Sequence, residues 1–219
     1  MRQFVVIGLS SFGYHVALQL ANNGCEVMVI DINKDKIQDI KDHVHEAIVA
    51  DASDKETLKS LGLEKVDGVI VSLGGEMSSS LLTTLYLKEL GIREVIVKVL
   101  NEDHGKIANQ IGASSIIFPE KDMAIRLGDT LSSANVLDHF QLSPGFSLLE
   151  IAPPNLFIGK SIKELKIRSQ YNIQIIAIRE LIPEKFNIIP SPDFIIKDSD
   201  VLVVLGKDED LERLKKLKS

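Results

Sequence analysis

A glycine-rich turn near the start of the chain holds the first residues whose types and spacing could do chemistry. The turn follows a short apolar run and consists of Gly8, Leu9, Ser10, Ser11, Phe12 and Gly13. The dinucleotide-binding pattern is G-x-G-x-x-G, and here a serine replaces the middle glycine. The first glycine permits a tight turn from strand to helix, and the last lets the helix pack closely on the strand. Because a helix N-terminus favours anions, the turn predicts a phosphate site.

An acidic residue and a serine bear on what this site would bind. Asp31 ends the second apolar run, where the acid that holds a ribose belongs in a dinucleotide-binding unit. Ser10 leaves two alternatives, because its Cβ and hydroxyl either push a phosphate outward or donate a hydrogen bond to it. The alternative to any nucleotide site is a Rossmann-type fold without a ligand, in which Asp31 is a turn residue before Asn33.

Six β-rich runs in the first part of the chain must position these residues. They are nearly continuous Val and Ile, as in strands buried on both faces of a parallel sheet. The runs cover residues 4–8, 26–31, 46–51, 66–73, 94–100 and 115–118. Helical segments separate them, and one of these carries Leu81, Leu82, Leu85 and Leu90 before a predicted stop at Gly91. The alternation predicts an α/β fold with a doubly wound parallel sheet.

The pattern changes towards the C-terminus. A helix is predicted from about Lys121 to Asp138, with Ala134 among its apolar residues, and "SPGFS" at 143–147 indicates a break. Short apolar runs with prolines at their ends follow, which predicts a small mixed sheet with edge strands and then a helix from Asp208. We therefore expect two domains, residues 1–138 and a smaller α/β domain, residues 139–219.

Composition limits the classes of function. The 219 residues carry a net charge of −6, which argues against binding nucleic acid. The lone Cys25 suits a reducing cytosol and predicts a small buried hydrophobe. The N-terminal sequence lacks the features of a secretory signal, and no apolar run is long enough to span a membrane. His43 and His45 could form a metal-binding pair, with a solvated loop as the alternative.

Ordered segments along the whole chain resemble one known family. They include "VIGLSSFGYHVA" from Val6, "VIDINKDK" from Val29, "VADASDKETL" from Val49, "LLTTLYLKELG" from Leu81, "VIVKVLNEDHGKIANQIGASSIIFPEKDMAIRLG" from Val95 and "GKSIKELKIRSQYNIQIIAI" from Gly159. These segments closely resemble the TrkA/KtrA-type RCK (regulator of K⁺ conductance) family. The second domain resembles its TrkA-C module.

The resemblance implies a non-catalytic cytosolic subunit. Such subunits form dimers that assemble into tetrameric or octameric rings on a potassium-translocating membrane partner. A nucleotide in each N-terminal domain, ATP or ADP or NAD(H), sets the ring geometry and gates the pore. Some relatives also bind cyclic di-AMP between paired C-terminal domains. Arg168, Tyr171 and Pro190 could line such a site here, with ordinary packing as the alternative.

The resemblance also assigns site residues. Beyond the glycine turn, it places in the nucleotide site Asp31, Asn33, Asp51, Ala52, Ser53, Ser72, Leu73, Gly74 and Lys98. The first two are expected at the ribose, the next three beside the adenosine and the following three at the carboxyl edge of the sheet. Lys98 is expected to meet a phosphate or ribose. Glu120 matches an acid that helps hold a divalent cation near the γ-phosphate.

The chain departs from the family where the phosphates are bound. Relatives usually have Gly-Arg in place of Ser10-Ser11, and that arginine reaches the terminal phosphates. Losing a charge-assisted contact of this kind costs about 1.5–3 kcal/mol. We therefore expect weaker discrimination of ATP over ADP, a different nucleotide or an empty site. Without a γ-phosphate, a cation at Glu120 also loses its other partner.

Two other functions compete with this interpretation. An NAD-dependent oxidoreductase would need an acid or base beside the nicotinamide and a substrate pocket. The short-chain dehydrogenase pattern Tyr-x-x-x-Lys fails, because Tyr86 is followed four residues later by Leu90. An adapter of the same family that binds no ligand is the third possibility, and it depends on Ser10 and Ser11.

Overall fold

The computed structural model describes residues 1–132 and 135–217. It divides into two compact units, Met1–Glu120 and Lys121–Ser219. The division falls within one helix, α6 (Pro119–Ser132). The predicted domains, residues 1–138 and 139–219, remain a prediction.

The first unit is a six-stranded parallel sheet. Its strands are β1 (Gln3–Ile7), β2 (Glu26–Asp31), β3 (Glu46–Val49), β4 (Gly68–Val71), β5 (Val95–Lys98) and β6 (Ser115–Ile117). Its helices are α1 (Ser11–Asn22), α2 (Lys34–Ile40), α3 (Lys55–Ser60), α4 (Met77–Glu89) and α5 (Glu102–Gln110), with short 3-10 helices at Lys41–His43 and Leu63–Lys65. All six predicted strands are confirmed.

The strand order locates the ligand-binding edge of this sheet. The order is β3-β2-β1-β4-β5-β6, and every neighbouring pair is parallel. The chain leaves β1 for one side of the sheet and later returns to its other side at β4. A doubly wound sheet of this order binds ligands outside the carboxyl ends of the strands at that reversal. The doubly wound prediction is confirmed.

Helix α4 confirms the helical spacing of the leucines, and small polar side chains make up most of its fully buried positions. Leu82 is exposed, and the buried positions are Ser80, Thr83, Thr84 and Leu87. The hydroxyl of Thr83 donates to the carbonyl of Ala52 at 3.0 Å. The hydroxyls of Thr83 and Thr84 bond backbone carbonyls, which lets small polar side chains face the neighbouring elements, while Leu81 and Leu90 pack against the core.

The second unit contains a five-stranded sheet. Its strands are β7 (Val136–Ser143), β8 (Phe146–Ile151), β9 (Ile173–Leu181), β10 (Glu184–Ile188) and β11 (Asp200–Lys207), in the order β10-β9-β11-β8-β7. Helices α7 (Ile162–Leu165), α8 (Ile167–Gln170) and α9 (Asp208–Lys215) accompany it. Each neighbouring pair is antiparallel, so the expectation of a mixed sheet was wrong.

Two local expectations in the second unit also need correction. The helix predicted to reach Asp138 ends at Ser132, and β7 begins at Val136; Ala134, which was assigned to that helix, lies outside the described residues. The predicted break at 143–147 is the turn of the β7–β8 hairpin, where Gly145 takes a φ of +83°. Glycine adopts this left-handed conformation without steric cost, so the turn continues the sheet.

The core of the second unit is built from the inward faces of β8, β9 and β11 with the small helices above them. Its fully buried side chains include Leu149, Phe157, Ile178 and Leu202. The final helix, α9, is confirmed and buries Leu211 and Leu214. Among the described residues, none of the helices combines the length and the apolar character needed to cross a membrane.

Candidate functional site

The two glycines of the turn are held where no side chain fits. Gly8 has a φ of +91°, and a Cβ on it would lie 2.6 Å from the carbonyl oxygen of Ser72. A Cβ on Gly13 would lie 2.1 Å from the carbonyl oxygen of Gly8. These contacts join the turn between β1 and α1 to the end of β4. The roles predicted for both glycines, a tight turn and close helix packing, have a direct steric basis here.

Asp31 fixes the turn through its carboxylate. Its Oδ2 accepts from the backbone N–H of Leu9 at 2.6 Å, and its Oδ1 accepts from that of Asn33 at 2.7 Å. The residue is buried at the end of β2, and the Nζ of Lys36 lies 4.0 Å from Oδ2. Each carboxylate oxygen keeps a further lone pair with which to accept from a ribose hydroxyl.

Ser10 turns its hydroxyl towards the protein. The residue is the N-cap of α1, and its Oγ accepts from the N–H of Gly13 at 3.3 Å. The same Oγ lies 2.6 Å from the Oγ of Ser72, and either hydroxyl can be the donor. If Ser72 donates, the proton of Ser10 is left for a ligand. The serine therefore supports the helix N-terminus and still offers a neutral donor.

A cleft of about 580 Å³ opens at this edge of the sheet. A volume of this size falls within the range of ligand sites. Nine of the predicted site residues line it, namely Gly8, Ser10, Asp31, Asp51, Ala52, Ser53, Ser72, Leu73 and Gly74. Four elements meet here, since these residues follow β1, β2, β3 and β4. Such a convergence is what a nucleotide site in a doubly wound sheet requires.

The remaining predicted residues do not line the cleft. They are Leu9, Ser11, Phe12, Gly13, Asn33, Lys98 and Glu120. Leu9 is buried and Ser11 is exposed. The side chain of Asn33 caps α2 by accepting from the N–H groups of Asp35 and Lys36. Asn33 therefore acts on the helix that follows Asp31.

Lys98 and Glu120 form an ion pair in the first unit. The Nζ of Lys98, which ends β5 and is buried, lies 2.5 Å from the Oε1 of Glu120. The hydrogen bond from Lys98 lowers the pKa of the Glu120 carboxyl below its ordinary value. Glu120 lies in the first turn of α6 and is largely exposed, so a cation that bound it would compete with the ammonium group of Lys98.

Three lining residues were missed by sequence reasoning and bring charge or hydroxyls to the cleft. They are Lys36 in the first turn of α2, Glu76 at the start of α4 and Ser79. All lie in or just after a loop that follows a strand at the carboxyl edge. The loop positions alone could have indicated them, because ligands in this fold bind at that edge.

Other candidate residues lie apart from the cleft. His43 and His45 are exposed, and within residues 1–132 and 135–217 no cluster of three or more His, Cys, Asp or Glu could hold a metal ion. Cys25 is half-buried against the first unit's core. In the second unit, Arg168 lines a separate cavity of about 390 Å³, whereas Tyr171 packs its ring on Phe157 at 5.4 Å.

Comparison with protein-family models decides the assignment. Residues 4–119 match the TrkA-N domain, and residues 147–219 match the TrkA-C domain. The chain belongs to the TrkA/Ktr-type RCK family. The two matches cover most of the chain, and the first contains the whole cleft.

Curated relatives of this RCK chain match it over nearly their full length. Ktr system potassium uptake protein C of Bacillus subtilis (strain 168) is 39% identical over 215 residues, covering 98% of this chain and 96% of the relative. Protein A of the Ktr system of the same organism is 38% identical, covering 97% and 95%. Ktr system potassium uptake protein A of Vibrio alginolyticus is 33% identical, covering 100% of this chain and 97% of the relative.

Solved RCK structures share the fold. The RCK domain of GsuK matches 99% of this chain with a TM-score of 0.68 and 18% identity. The GsuK channel matches 99% with a TM-score of 0.72 and 18% identity. This chain spans 47% and 39% of those two solved chains, which is less than half of each.

Proposed function

We propose that this protein is a nucleotide-responsive regulatory subunit of a Ktr-type potassium uptake system. The proposal rests on the cleft, where residues from the ends of four strands meet at one phosphate turn. Two curated relatives of the chain are named as Ktr system potassium uptake proteins. The protein has no catalytic role in this proposal. It works in the cytoplasm, at the inner face of the membrane, through a potassium-translocating partner.

The ligand in the proposal is an adenine nucleotide, either ATP or ADP or NAD(H). Asp31 would accept from a ribose hydroxyl, and the turn from Gly8 to Gly13 would face the phosphates with the N-terminus of α1. Proteins of the same fold support this choice, since one solved GsuK channel is bound to NAD and another GsuK structure to ADP.

The proposed mechanism is a population shift in a ring of identical subunits. Dimers assemble into a tetrameric or octameric ring, and the nucleotide binds one ring conformation more tightly than the other. Moving an equilibrium from 1:99 to 99:1 takes about 5.5 kcal/mol of differential binding. In an octamer that is about 0.7 kcal/mol at each site. A site without the usual arginine therefore suffices for gating.

Two further ligands belong to the proposal because of the family resemblance. A divalent cation would bind at Glu120, where it must compete with Lys98. Cyclic di-AMP would bind between paired C-terminal domains near Arg168, Tyr171 and Pro190. Arg168 lines a cavity in the second unit, which is compatible with that role.

Ligand binding can be tested on the purified full chain. Mass spectrometry of the denatured protein identifies a co-purified ligand, and a thermal-shift panel compares ATP, ADP, NAD, NADH and cyclic di-AMP. Binding to the folded state must raise the melting temperature. If none of these ligands raises it at millimolar concentration, nucleotide gating is wrong and an adapter without a ligand takes its place.

Potassium uptake provides the second test. Cells that lack their own uptake systems and express a Ktr-type membrane subunit should grow at low potassium only when this chain is also present. Gly74→Val fills the cleft, because even a Cβ at Gly74 would lie 3.0 Å from the Cβ of Ser10. This variant should lose the response to nucleotide, whereas Gly128→Ala, outside the cleft, should keep it.

The oxidoreductase alternative has its own test. A steady-state scan of the full chain with NADH and small carbonyl substrates should show no turnover above that of the Gly74→Val variant. Turnover that the wild type shows and this variant lacks would establish an enzyme in place of a regulator.

A further inference from the structure

The charges around the cleft are unusual for a site that would hold several phosphates. Of the described residues, the ionisable side chains that line it are Asp31, Lys36, Asp51 and Glu76. Lys36 lies 4.0 Å from Asp31, so its charge is offset within the protein. The hydroxyl and the N–H of Ser53 both donate to Asp51. No other lysine or arginine of the described chain lines the cleft to offset the charge of Asp51 or that of Glu76, and of these two acids it is Glu76 that lies in the loop beginning at Ser72.

Glu76 lies in the loop that contacts the phosphate turn. The loop from Ser72 to Glu76 connects β4 to α4, and Ser72 shares a hydrogen bond of 2.6 Å with Ser10. Glu76 is exposed, and its carboxylate accepts from the Oγ of Ser79 at 2.9 Å. Glu76 and Ser79 also line the cleft. A carboxylate is thus held at the N-terminus of α4, where the helix would otherwise attract a phosphate.

The donors on the phosphate turn are neutral. They are the backbone N–H groups that begin α1 and one hydroxyl proton of the Ser10–Ser72 pair, because the other proton of that pair is used in the hydrogen bond between them. Such donors can bind the oxygens of a phosphate, but they cannot neutralise its charge. A terminal phosphate monoester carries about −1.5 to −2 charges at pH 7. In a dinucleotide each of the two bridging phosphates carries a single negative charge, so the pyrophosphate brings about two charges to the cleft, where ADP brings about three and ATP about four.

We propose that Glu76 makes the cleft select adenine nucleotides by phosphate charge, so that it binds the pyrophosphate diester of an adenine dinucleotide more tightly than ADP or ATP. This inference rests on the proposed nucleotide site and deepens it, because it names the ligand class and the residue that sets it. The carboxylate of Glu76 repels each added charge on a terminal phosphate, whereas a diester presents fewer charges and ends in a second nucleoside.

The size of the effect follows from Coulomb's law. The repulsion between two like charges about 7 Å apart corresponds to about 3-fold in affinity in bulk water and to about 50-fold at an effective dielectric constant of about 20. Because Glu76 is exposed to water, we expect the lower part of this range, about 3- to 10-fold for each charge. The wild type should therefore bind NADH more tightly than ADP, and ADP more tightly than ATP. Added salt should narrow these differences by screening the carboxylate.

The experiment titrates the full-length protein with NAD, NADH, AMP, ADP and ATP by calorimetry, at low and at high salt. Glu76→Gln removes the charge and keeps an amide oxygen that can accept from Ser79. Glu64→Gln is the matched control, since it removes one exposed negative charge of the same unit outside the cleft. AMP separates phosphate charge from ligand size, because its monoester carries about the same charge as the pyrophosphate of a dinucleotide on a much smaller molecule.

We expect Glu76→Gln to raise the affinity for ATP by about 3- to 30-fold, and to raise that for ADP less and that for NADH least. Glu64→Gln should leave the order of the ligands unchanged. The role of Glu76 would be overturned, and the nucleotide site kept, by either of two results. One is an equal gain in ATP affinity for Glu76→Gln and Glu64→Gln, and the other is a wild type that binds ATP as tightly as NADH or more tightly at low salt. Absence of binding by all five ligands to every variant would overturn the nucleotide site itself.

Discussion

The hydroxyl oxygens of Ser10 and Ser72 lie 2.6 Å apart, which joins the glycine turn to the end of β4. The two residues are 62 positions apart in the chain. Ser10 caps α1, and Ser72 is fully buried. This bond and the close approach of Gly8 to Ser72 fix the phosphate turn from two sides. The serine that breaks the glycine pattern thus has a structural partner just after β4 and still lines the cleft.

Restoring the family's Gly-Arg pair should restore binding of terminal phosphates. In the double variant Ser10→Gly, Ser11→Arg, an arginine at the exposed position 11 can make charge-assisted bonds to the phosphates. We expect ATP affinity to rise by about 10- to 100-fold, as for a contact of 1.5–3 kcal/mol. Loss of the Ser10 cap should cost a few tenths of a kcal/mol, since glycine is also tolerated at an N-cap. The buried Ser72 hydroxyl loses its partner in the same variant, which should cost about 1 kcal/mol more.

Calorimetric titration with ATP and ADP measures the gain. The control is Ser10→Gly, Ser11→Gln, which changes the same two positions without adding charge. If the arginine variant binds ATP no better than this control, our interpretation of the turn is wrong.

Alanine at Gly13 should destabilise the protein although alanine favours helices. The added Cβ would meet the carbonyl oxygen of Gly8 at 2.1 Å, and neither backbone can withdraw without moving β1 or α1. We expect a loss of about 1–3 kcal/mol in the free energy of unfolding, as for an overpacked core. Urea denaturation followed by circular dichroism gives the value.

Gly128 in α6 provides the opposite case for the same substitution. A Cβ there would meet nothing within 4 Å. Gly128→Ala should therefore stabilise the protein by about 0.5–1 kcal/mol through helix propensity. A Gly13→Ala variant as stable as Gly128→Ala would show that the packing of α1 on the turn is looser than described.

Lowering the pH should reduce the stability of the first unit, because the unfolded chain protonates His104 more readily than the folded one. Burial lowers the pKa of this imidazole below its ordinary value of 6.5. Its Nδ1 accepts from the N–H of Leu100 at 3.3 Å, so the folded state holds the neutral ring. The unfolded chain takes up a proton more readily than the folded one, and stability should therefore fall as the pH drops from about 6.5 through the lower folded value.

Urea denaturation midpoints measured between pH 7.5 and pH 5 test this prediction, because the interval includes the ordinary imidazole pKa of about 6.5 and extends below it. The wild type should lose stability over this interval more steeply than His104→Gln, which has no titrating ring. His43→Gln, which changes an exposed histidine, should keep the wild-type slope. Parallel slopes for the wild type and His104→Gln would contradict the prediction.

The parallel sheet could be predicted from the sequence because each of its strands is a local signal. Buried strands such as β1 and β4 each contain three consecutive Val or Ile residues, and glycines follow helices between them. The cleft followed from the same reasoning, since carboxyl ends of parallel strands share one edge.

Other features depended on contacts between distant residues and left no local pattern. The first three residues of β7, 136–138, were assigned to the preceding helix because Leu137 continues its apolar spacing, and pairing with β8 is what makes them a strand. The hydrogen bond between Ser10 and Ser72, and the place of Glu76 at the cleft, likewise arise only when β4 lies beside β1.

The ion pair of Lys98 and Glu120 should make stability depend on acid in a second range of pH. Lys98 lowers the pKa of Glu120, so the contribution of the pair is complete above the ordinary carboxyl value of 4.5 and is lost as the pH falls through the lower folded value. At neutral pH, Glu120→Gln should cost about 1 kcal/mol, because a buried ammonium loses its partner while the exposed carboxylate was already screened by water. The double variant Lys98→Met, Glu120→Gln should recover part of this loss, since no buried charge remains.

Lys98→Met alone should raise the affinity of the full chain for Mn²⁺, because it frees the Glu120 carboxylate. Urea denaturation of the wild type, the two single variants and the double variant gives the coupling free energy between Lys98 and Glu120. A Mn²⁺ titration gives the cation affinity. A coupling of zero would show that the pair does not stabilise the fold, and an unchanged Mn²⁺ affinity would remove Glu120 as a cation ligand.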